Sequence, residues 1–313
     1  MLAGETRDEL FGSSRAMLDL NEYLHKVALS DATVLITGET GTGKERVAGN
    51  LHRLGPRSSG PFVSVNCATL PETLIESELF GHHRGAFTGA IADFPGRFAE
   101  ADHGTLFLDE VGELTHSAQA KLLRSIEDGE VVPLGSTRRR QVDVRIVVAT
   151  NAALEELVER HSFRADLFYR LNVVRIELPP LRERPDDIAP ILDHFISQQN
   201  SRHALSVGRP DAELLDRMQR YDWPGNIREL RNMVEAMFVD PPQGQSISLA
   251  DLPPSFRRLF KESSRTGENE RQRLVEVLRE TKWNKVAAAR EMNWSRMTLY
   301  RKLAKYDLSS EPG

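Results

Sequence analysis

Cysteine is almost absent: Cys67 is the single one in 313 residues. Internal disulfides and cysteine-built metal clusters are therefore excluded, and a reducing compartment is expected. Long apolar runs are missing too. None approaches the roughly 20 residues of a membrane span, and the polar, acidic start "MLAGETRDELFGSS" is no secretory signal. A cytoplasmic protein with no membrane partner is expected. Net charge is small, −5, but unevenly placed. Residues 255–306 hold 14 Lys/Arg against 6 Asp/Glu, a balance of +8, which leaves residues 1–254 at about −11. An acidic body with a basic tail puts any nucleic-acid contact near the C-terminus.

What is present is ordinary in amount, with 40% hydrophobic and 28% charged residues, and enough chain for two or three domains. Apolar residues at helical spacing over 15–29 (Met17, Leu20, Leu24, Val27) predict an amphipathic helix. Five strand-like runs follow: "TVLITG" (33–38), "FVSVN" (62–66), "TLFLDE" (105–110), "VRIVVATN" (144–151) and "NVVRIELP" (172–179). Helical stretches between them predict an α/β domain with a parallel sheet, over residues 1–178, whose ligand sits at the carboxyl ends of the strands. Strands stop after "LPPLRERP", and residues 179–240 read as a smaller helical subdomain broken at "WPGN" (223–226). Residues 241–267 read as a linker and 268–313 as a second helical domain.

"GETGTGKE" (38–45) has the spacing of a phosphate-binding loop, directly after a strand and opening a helix. Its glycines free consecutive N–H groups of Gly38, Glu39, Thr40, Gly41, Thr42 and Gly43 to face phosphate oxygens, and Lys44 would hold the β- and γ-phosphates. Glu45 stands where Ser or Thr usually contacts Mg²⁺. "GTLFLDE" ends an apolar strand on Asp109 and Glu110, an acid pair able to bind Mg²⁺ through Asp109 and polarise water through Glu110. Together these make ATP hydrolysis the leading chemistry. Arg164 and Arg170 in "FRADLFYRL" and Arg228 in "WPGNIREL" are candidates for the positive charge such a reaction needs, and spacing does not choose among them.

"GAFTGA" (85–90) is glycine-bounded and reads as a loop, yet it carries a bare Phe87. Near the C-terminus, "NKVAAAREMNWSRMTLYRKL" reads as two helices joined by a turn at 293–295. Small alanines permit the close crossing that a helix-turn-helix requires. Its second helix would turn Ser295, Arg296, Thr298, Arg301, Lys302 and Lys305 towards DNA, with Met297, Leu299 and Leu303 inward.

These motifs, with "ESELFGHHRGAFTGA", "LPPLRERPDDI" and "WPGNIRELRN", resemble the AAA+ bacterial enhancer-binding proteins over about residues 8–240. Those are ATPases that activate RNA polymerase holding sigma-54. The resemblance implies an AAA+ P-loop NTPase with a helical lid and a Fis-type helix-turn-helix. It implies ATP and Mg²⁺ as ligands, Mg²⁺ at Asp109, and Glu110 as the water-activating residue. Asn66 resembles the asparagine that restrains that glutamate, and Thr150 and Asn151 fall at the sensor position. Arg164 and Arg170 resemble arginines that reach a neighbouring subunit's ATP, and Arg228 resembles the lid-side sensor. Glutamate at position 45 is usual in the family. Gly85, Ala86, Phe87, Thr88, Gly89 and Ala90 resemble the loop that touches sigma-54, and residues 127–143 its companion loop. Active members form rings, generally hexamers, and bind double-stranded DNA upstream of the promoter. The AAA+ motifs begin almost at Met1, so a short member governed by a separate inhibitory protein or by expression is expected. Whether its ring includes a paralogous subunit stays open. A regulator of ordinary promoters that merely keeps the fold would usually degrade GAFTGA, and a DNA motor would not need a site-reading helix-turn-helix.

Overall fold

The structure, a computed structural model, describes residues 12–242, 246–281, 283–292, 299, 300, 302, 303, 306 and 308, with backbone alone for 261–273, 286 and 290. It divides into two compact units. One runs through residue 197 and takes in 222–232, and the other holds 198–221 and the chain from 233.

In chain order the first unit carries α1 (Arg15–Ala28), β1 (Val34–Thr37), α2 (Lys44–Arg53), β2 (Phe62–Asn66), α3 (Glu72–Phe80) and α4 (Arg97–Glu100). Then come β3 (Thr105–Asp109), α5 (His116–Asp128), β4 (Glu130–Val131), β5 (Arg140–Gln141), β6 (Arg145–Thr150), α6 (Leu154–Glu159), α7 (Ala165–Leu171) and β7 (Val174–Glu177). All five expected strands form, each within two residues of its expected bounds. They make one parallel sheet in the order β2-β3-β6-β1-β7. Alternation along each strand divides its side chains between two cores. Leu35, Leu106, Leu108, Ile146 and Val148 pack on one face. Val34, Ile36, Phe107, Val147 and Ala149 pack on the other, with Met17, Leu24 and Val27 of α1 and Val47, Ala48 and Leu51 of α2. The register pairs Asn66 with Asp109 and Thr37 with Thr150, so the functional strand ends lie side by side.

A buried cation ties the two helices of the second face. Arg145 opens β6 and donates from Nη1 to Ala28 O (2.9 Å) and Leu51 O (3.2 Å), and from Nη2 to Val27 O (2.9 Å). Its charge thus sits at the carbonyl ends of α1 and α2, where the helix dipoles favour it.

In the second unit the helices are α9 (Ala212–Arg220), α11 (Pro254–Glu280) and α12 (Lys285–Glu291), while α8 (Ile188–His203) and α10 (Asn226–Met237) have residues in both units. One expectation is corrected here. Most of the stretch read as a linker over 241–267 is the first half of α11, opened by Pro254, a residue suited to a first helical position. By compactness, residues 179–197, "WPGN" and the start of α10 group with the sheet. Leu274 and Leu278 near the end of α11 form a small core with Ala288, Ala289, Leu299 and Leu303, the last two inward as expected.

Replacing Arg145 by Met keeps its bulk but takes the donor from Ala28 O and Leu51 O, while Val27 O keeps Ser30 N. Urea unfolding should show a loss on the order of 3 kcal/mol, and a loss under about 1 kcal/mol would contradict the capping role. His52 gives a pH prediction. Its Nδ1 lies 3.0 Å from Oγ1 of buried Thr105, and burial, then the nearby Arg145 charge, lower its pKa. The unfolded chain therefore binds the proton more readily, and stability should fall as pH drops below about 6.5. A His52→Asn protein should show a flatter urea midpoint between pH 7.5 and 5.5.

Candidate functional site

β1 runs into the loop 38–43 and the loop into α2, whose first turn has no side-chain cap. Its leading N–H groups are therefore the donors that an anion would take up. Lys44 is only 7% exposed, and its Nζ donates to Gly38 O at 2.9 Å while lying 3.5 Å from Glu110 Oε1. Gly41 cannot be replaced: at φ +81° an added Cβ would sit 2.3 Å from Gly225 O. That close approach seats the "WPGN" turn on the phosphate loop, where Ile227 N donates to Gly41 O at 3.0 Å.

Asn226, fully buried, extends the same junction. Its Nδ2 donates to Thr40 O (3.0 Å) and to Glu39 Oε2 (3.3 Å), and its Oδ1 accepts from Leu181 N (2.8 Å). Arg182 grips Glu39 with both terminal nitrogens at 2.7 and 2.5 Å, and this pairing raises its pKa further. Sequence reasoning passed over Asn226, reading its tetrapeptide only as a helix break. It passed over Arg182 as well, although "LRERP" directly after the last strand was the available signal.

The acids meet the loop at the sheet edge. Glu110, at φ +52°, accepts from Asn151 N on Oε2 (3.0 Å), and Asn151 Nδ2 donates to Thr40 Oγ1 (3.0 Å). Burial first, then the neighbouring Glu110 charge, raise the pKa of Asp109 above the usual carboxylate range. Asn66 is expected on the glutamate. Here its Nδ2 donates to Asp109 Oδ2 at 3.1 Å, because strand register sets it directly beside Asp109. Cys67, behind this pair, has its thiol pushed up to about 12 by burial and then by the Asp109 and Glu110 charges, and is inert near neutrality. Thr150 is buried and its Oγ1 accepts from Ala152 N.

Beside the phosphate loop lies a cleft of about 510 Å³ whose lining includes Ala16 and Leu20 on one side and Leu178, Pro179, Pro180 and Arg182 on the other. Glu39, Glu177 and Glu183 also line it, and the apolar surface of Leu20, Leu178, Pro179 and Pro180 together with its size suits a flat heteroaromatic base with its sugar. Glu45 is exposed in the first turn of α2.

The arginines are differently placed. Arg164 precedes α7, and its guanidinium is occupied by Asp166, Nη2 to Oδ2 at 2.7 Å. Arg170 is exposed on α7 beside the exposed ring of Tyr169. Arg228 is exposed two residues after Asn226, with its Cβ close over Gly41.

The GAFTGA loop is a folded hairpin. His82 and Phe94 exchange backbone bonds at 2.9 Å, and Gly85 N donates to Ala90 O at 2.9 Å. The companion segment braces its stem, His83 N to Leu134 O (3.0 Å) and Leu134 N to Gly81 O (2.9 Å). Arg84 takes part through its backbone N–H, which donates to Asp93 Oδ1 (2.7 Å). Phe87 is not bare: half-buried, it sets its ring edge-on to His82, with centroids 5.0 Å apart. Thr88 and Gly89 are exposed, Gly85 also, while Ala86 is partly covered and Ala90 buried.

At the C-terminus, Ser295, Arg296, Thr298, Arg301 and Lys305 lie outside the described residues. Lys302 differs from expectation: it is 6% exposed, because three residues after Leu299 it falls on the face that turns inward.

The sequence matches three families in succession. Residues 10–177 match the Sigma-54 interaction domain, 182–270 the AAA+ ATPase lid domain, and 267–306 the bacterial regulatory proteins of the Fis family. HyfR, a DNA-binding transcriptional activator of Escherichia coli K12, is 43% identical across 96% of this chain. The transcriptional regulatory protein ZraR of Salmonella typhimurium is 45% identical across 95%, and the nitrogen fixation protein VnfA of Azotobacter vinelandii 42% across 96%. The chain spans 48% of HyfR's length, 68% of ZraR's and 59% of VnfA's. Crystal structures of Brucella abortus NtrX in complex with ATP and with ADP match at TM-scores of 0.76 and 0.74, each 31% identical and covering 96% of this chain and 70% of that one. With a sigma-54 interaction domain over more than half its length, an AAA+ lid and a Fis-type module in order, the chain belongs to the family of AAA+ sigma-54 activators.

Proposed function

We propose that this protein is a ring-forming ATPase that binds DNA upstream of promoters and uses ATP to open promoter complexes of RNA polymerase holding sigma-54. The observation that carries the reading is the convergence of Lys44, Asp109, Glu110 and Asn151 on one uncapped helix start, in a chain that keeps GAFTGA intact.

In this reading the N–H groups of the phosphate loop and Lys44 hold the triphosphate, with the base in the cleft between α1 and residues 178–182. Asp109 fits a Mg²⁺ site, since its carboxylate ends a strand beside the phosphate loop and offers the hard oxygen that this ion prefers. The ion would neutralise charge on the phosphates. Glu110 accepts the proton of the attacking water, and its hold on Asn151 N fixes its direction. Asn66, by its contact with Asp109, links this acid to β2, and Asn151 reads the same event through Thr40. Arg228 serves the same subunit's phosphates. Arg164 and Arg170 serve a neighbouring subunit's, once Arg164 has exchanged Asp166 for that partner. The ring is most simply a hexamer.

The loop delivers the work. Release of Phe87 from His82 would present Phe87 and Thr88 to sigma-54, with Gly85, Ala86, Gly89 and Ala90 allowing the hairpin to change shape. The helix-turn-helix supplies upstream DNA contacts through Ser295, Arg296, Thr298 and Arg301. A separate inhibitory protein or a paralogous subunit in the ring would be consistent with this design. No helix among the described residues is long and apolar enough to cross a membrane, in keeping with a cytoplasmic setting.

Three variants test the reading. Lys44→Ala should weaken ATP binding by about 100-fold in a fluorescence titration. Glu110→Gln should still bind ATP but release phosphate about 100-fold more slowly or worse. Thr88→Ala should keep ATPase activity within about 3-fold yet form no open complex on a sigma-54 promoter, read by permanganate footprinting. If all three support ATP-driven promoter opening like the parent protein, the proposal fails.

A further inference from the structure

Asp187 is fully buried, makes no contact with the catalytic acids, and is surrounded by donors. Its Oδ1 accepts from Ser13 N and Ser14 N, both at 2.7 Å, and its Oδ2 from Ser14 Oγ at 2.7 Å. Ser14 is the residue preceding α1, a position whose hydroxyl ordinarily caps its own helix. Here it makes no such bond and turns to Asp187 instead, so a carboxylate 173 residues away anchors the start of α1. The fit is tight. At Gly12, φ +144°, an added Cβ would lie 2.5 Å from Asp187 Oδ2 and 2.7 Å from Met17 Cγ. Arg184, also buried, approaches Oδ2 at 3.9 Å.

What this anchor controls follows from the next turn of α1. Ala16 and Leu20, one helical turn apart, form one wall of the cleft beside the phosphate loop. Leu178, Pro179, Pro180 and Arg182 line the same cleft, and Asp187 follows Arg182 by five residues at the end of the short turn Pro185–Asp187. One segment therefore supplies part of the lining directly and fastens the part carried by α1 through its carboxylate. Without the anchor, Ser13 and Ser14 lose the carboxylate that fixes the chain just before α1, and the part of the cleft lining that α1 carries is held less firmly.

We infer that Asp187 is a positioning residue that sets the width of the base cleft, and so makes the site bind a nucleoside triphosphate in preference to bare polyphosphate. The inference rests on the nucleotide-binding reading above. Asn226, Arg182 and Gly225 support the phosphate loop without Asp187, and Arg184, beside Asp187, reaches that loop only by a long bond to Thr42 O (3.5 Å), so most of the grip on phosphate should survive loss of the anchor.

The test compares ATP with inorganic tripolyphosphate, the latter by displacement of a fluorescent ATP analogue, on the full chain with Mg²⁺. Asp187→Leu keeps the branched shape but offers no acceptor to the Ser13 and Ser14 N–H groups or to the Ser14 hydroxyl. It should weaken ATP binding about 10-fold and leave tripolyphosphate within about 2-fold. In steady state KM for ATP should rise by a similar factor while kcat stays within about 2-fold. Ser14→Ala, which removes one of the three bonds, should give a smaller shift of about 3-fold in the same direction, and it decides the matter should Asp187→Leu fail to fold. Unchanged ATP affinity in the variants, or equal loss of ATP and tripolyphosphate, would overturn the proposal. A parent protein that binds ATP no better than tripolyphosphate would do the same. If the parent protein bound neither, the nucleotide-binding reading itself would fall.

Discussion

A parallel sheet ends all its strands at one edge, and the site depends on that constraint. Residues that close β1, β2, β3 and β6 arrive there together because register pairs Thr37 with Thr150 and Asn66 with Asp109. The edge also leaves N–H groups at the start of α2 without side-chain partners and collects two carboxylates. Neither is comfortable alone: the carboxylates repel, and burial raises the pKa of Asp109. Lys44, almost wholly buried between Gly38 O and Glu110, offsets part of that repulsion from inside. A polyanion with its cation completes the balance, which is the physical reason the site is a phosphate site.

The same edge is reinforced from a distant part of the sequence. Asn226 and Gly225 press on the phosphate loop closely enough that Gly41 cannot carry a Cβ. Arg182 and Asp187, five residues apart, hold the phosphate loop through Glu39 and α1 through Ser13 and Ser14 respectively. Direct bonds thus join the phosphate loop to the start of α10 and to Arg182. Groups proposed to act on other molecules are meanwhile satisfied internally: Arg164 by Asp166, and Phe87 by His82. Those internal partners set the cost that engagement of a neighbour or of sigma-54 must exceed.

Much of this was legible in the sequence, for reasons that differ by element. Strands were readable because β-branched runs end on glycine or acid, as in "TVLITG" and "TLFLDE", and the structure moves their bounds by no more than two residues. The phosphate loop and the acid pair were readable because their chemistry fixes both residue type and spacing. What spacing could not give was the partner of a side chain. Asn66 bonds Asp109 rather than Glu110 because register decides which side chains face each other. Phe87 rests on His82 because the hairpin folds back, a tertiary choice invisible in a glycine-bounded hexapeptide. Lys302 counted as a basic side chain for DNA, yet its place one turn from Leu299 turns it inward. The supposed linker over 241–267 contains turn-forming residues, but from Pro254 its backbone is helical. Asp187 was one acid among many in a polar run, and only folding brings Ser13 and Ser14 to it.

The account's central claim is that the nucleotide state at the sheet edge governs whether the GAFTGA loop engages sigma-54. The most direct measurement is binding of purified sigma-54 to this protein, by sedimentation or native gel, without nucleotide and with ADP–aluminium fluoride as a mimic of the hydrolysis transition state. The account predicts a stable complex with the mimic and none without nucleotide. A complex that forms equally in both conditions, or in neither, would contradict it.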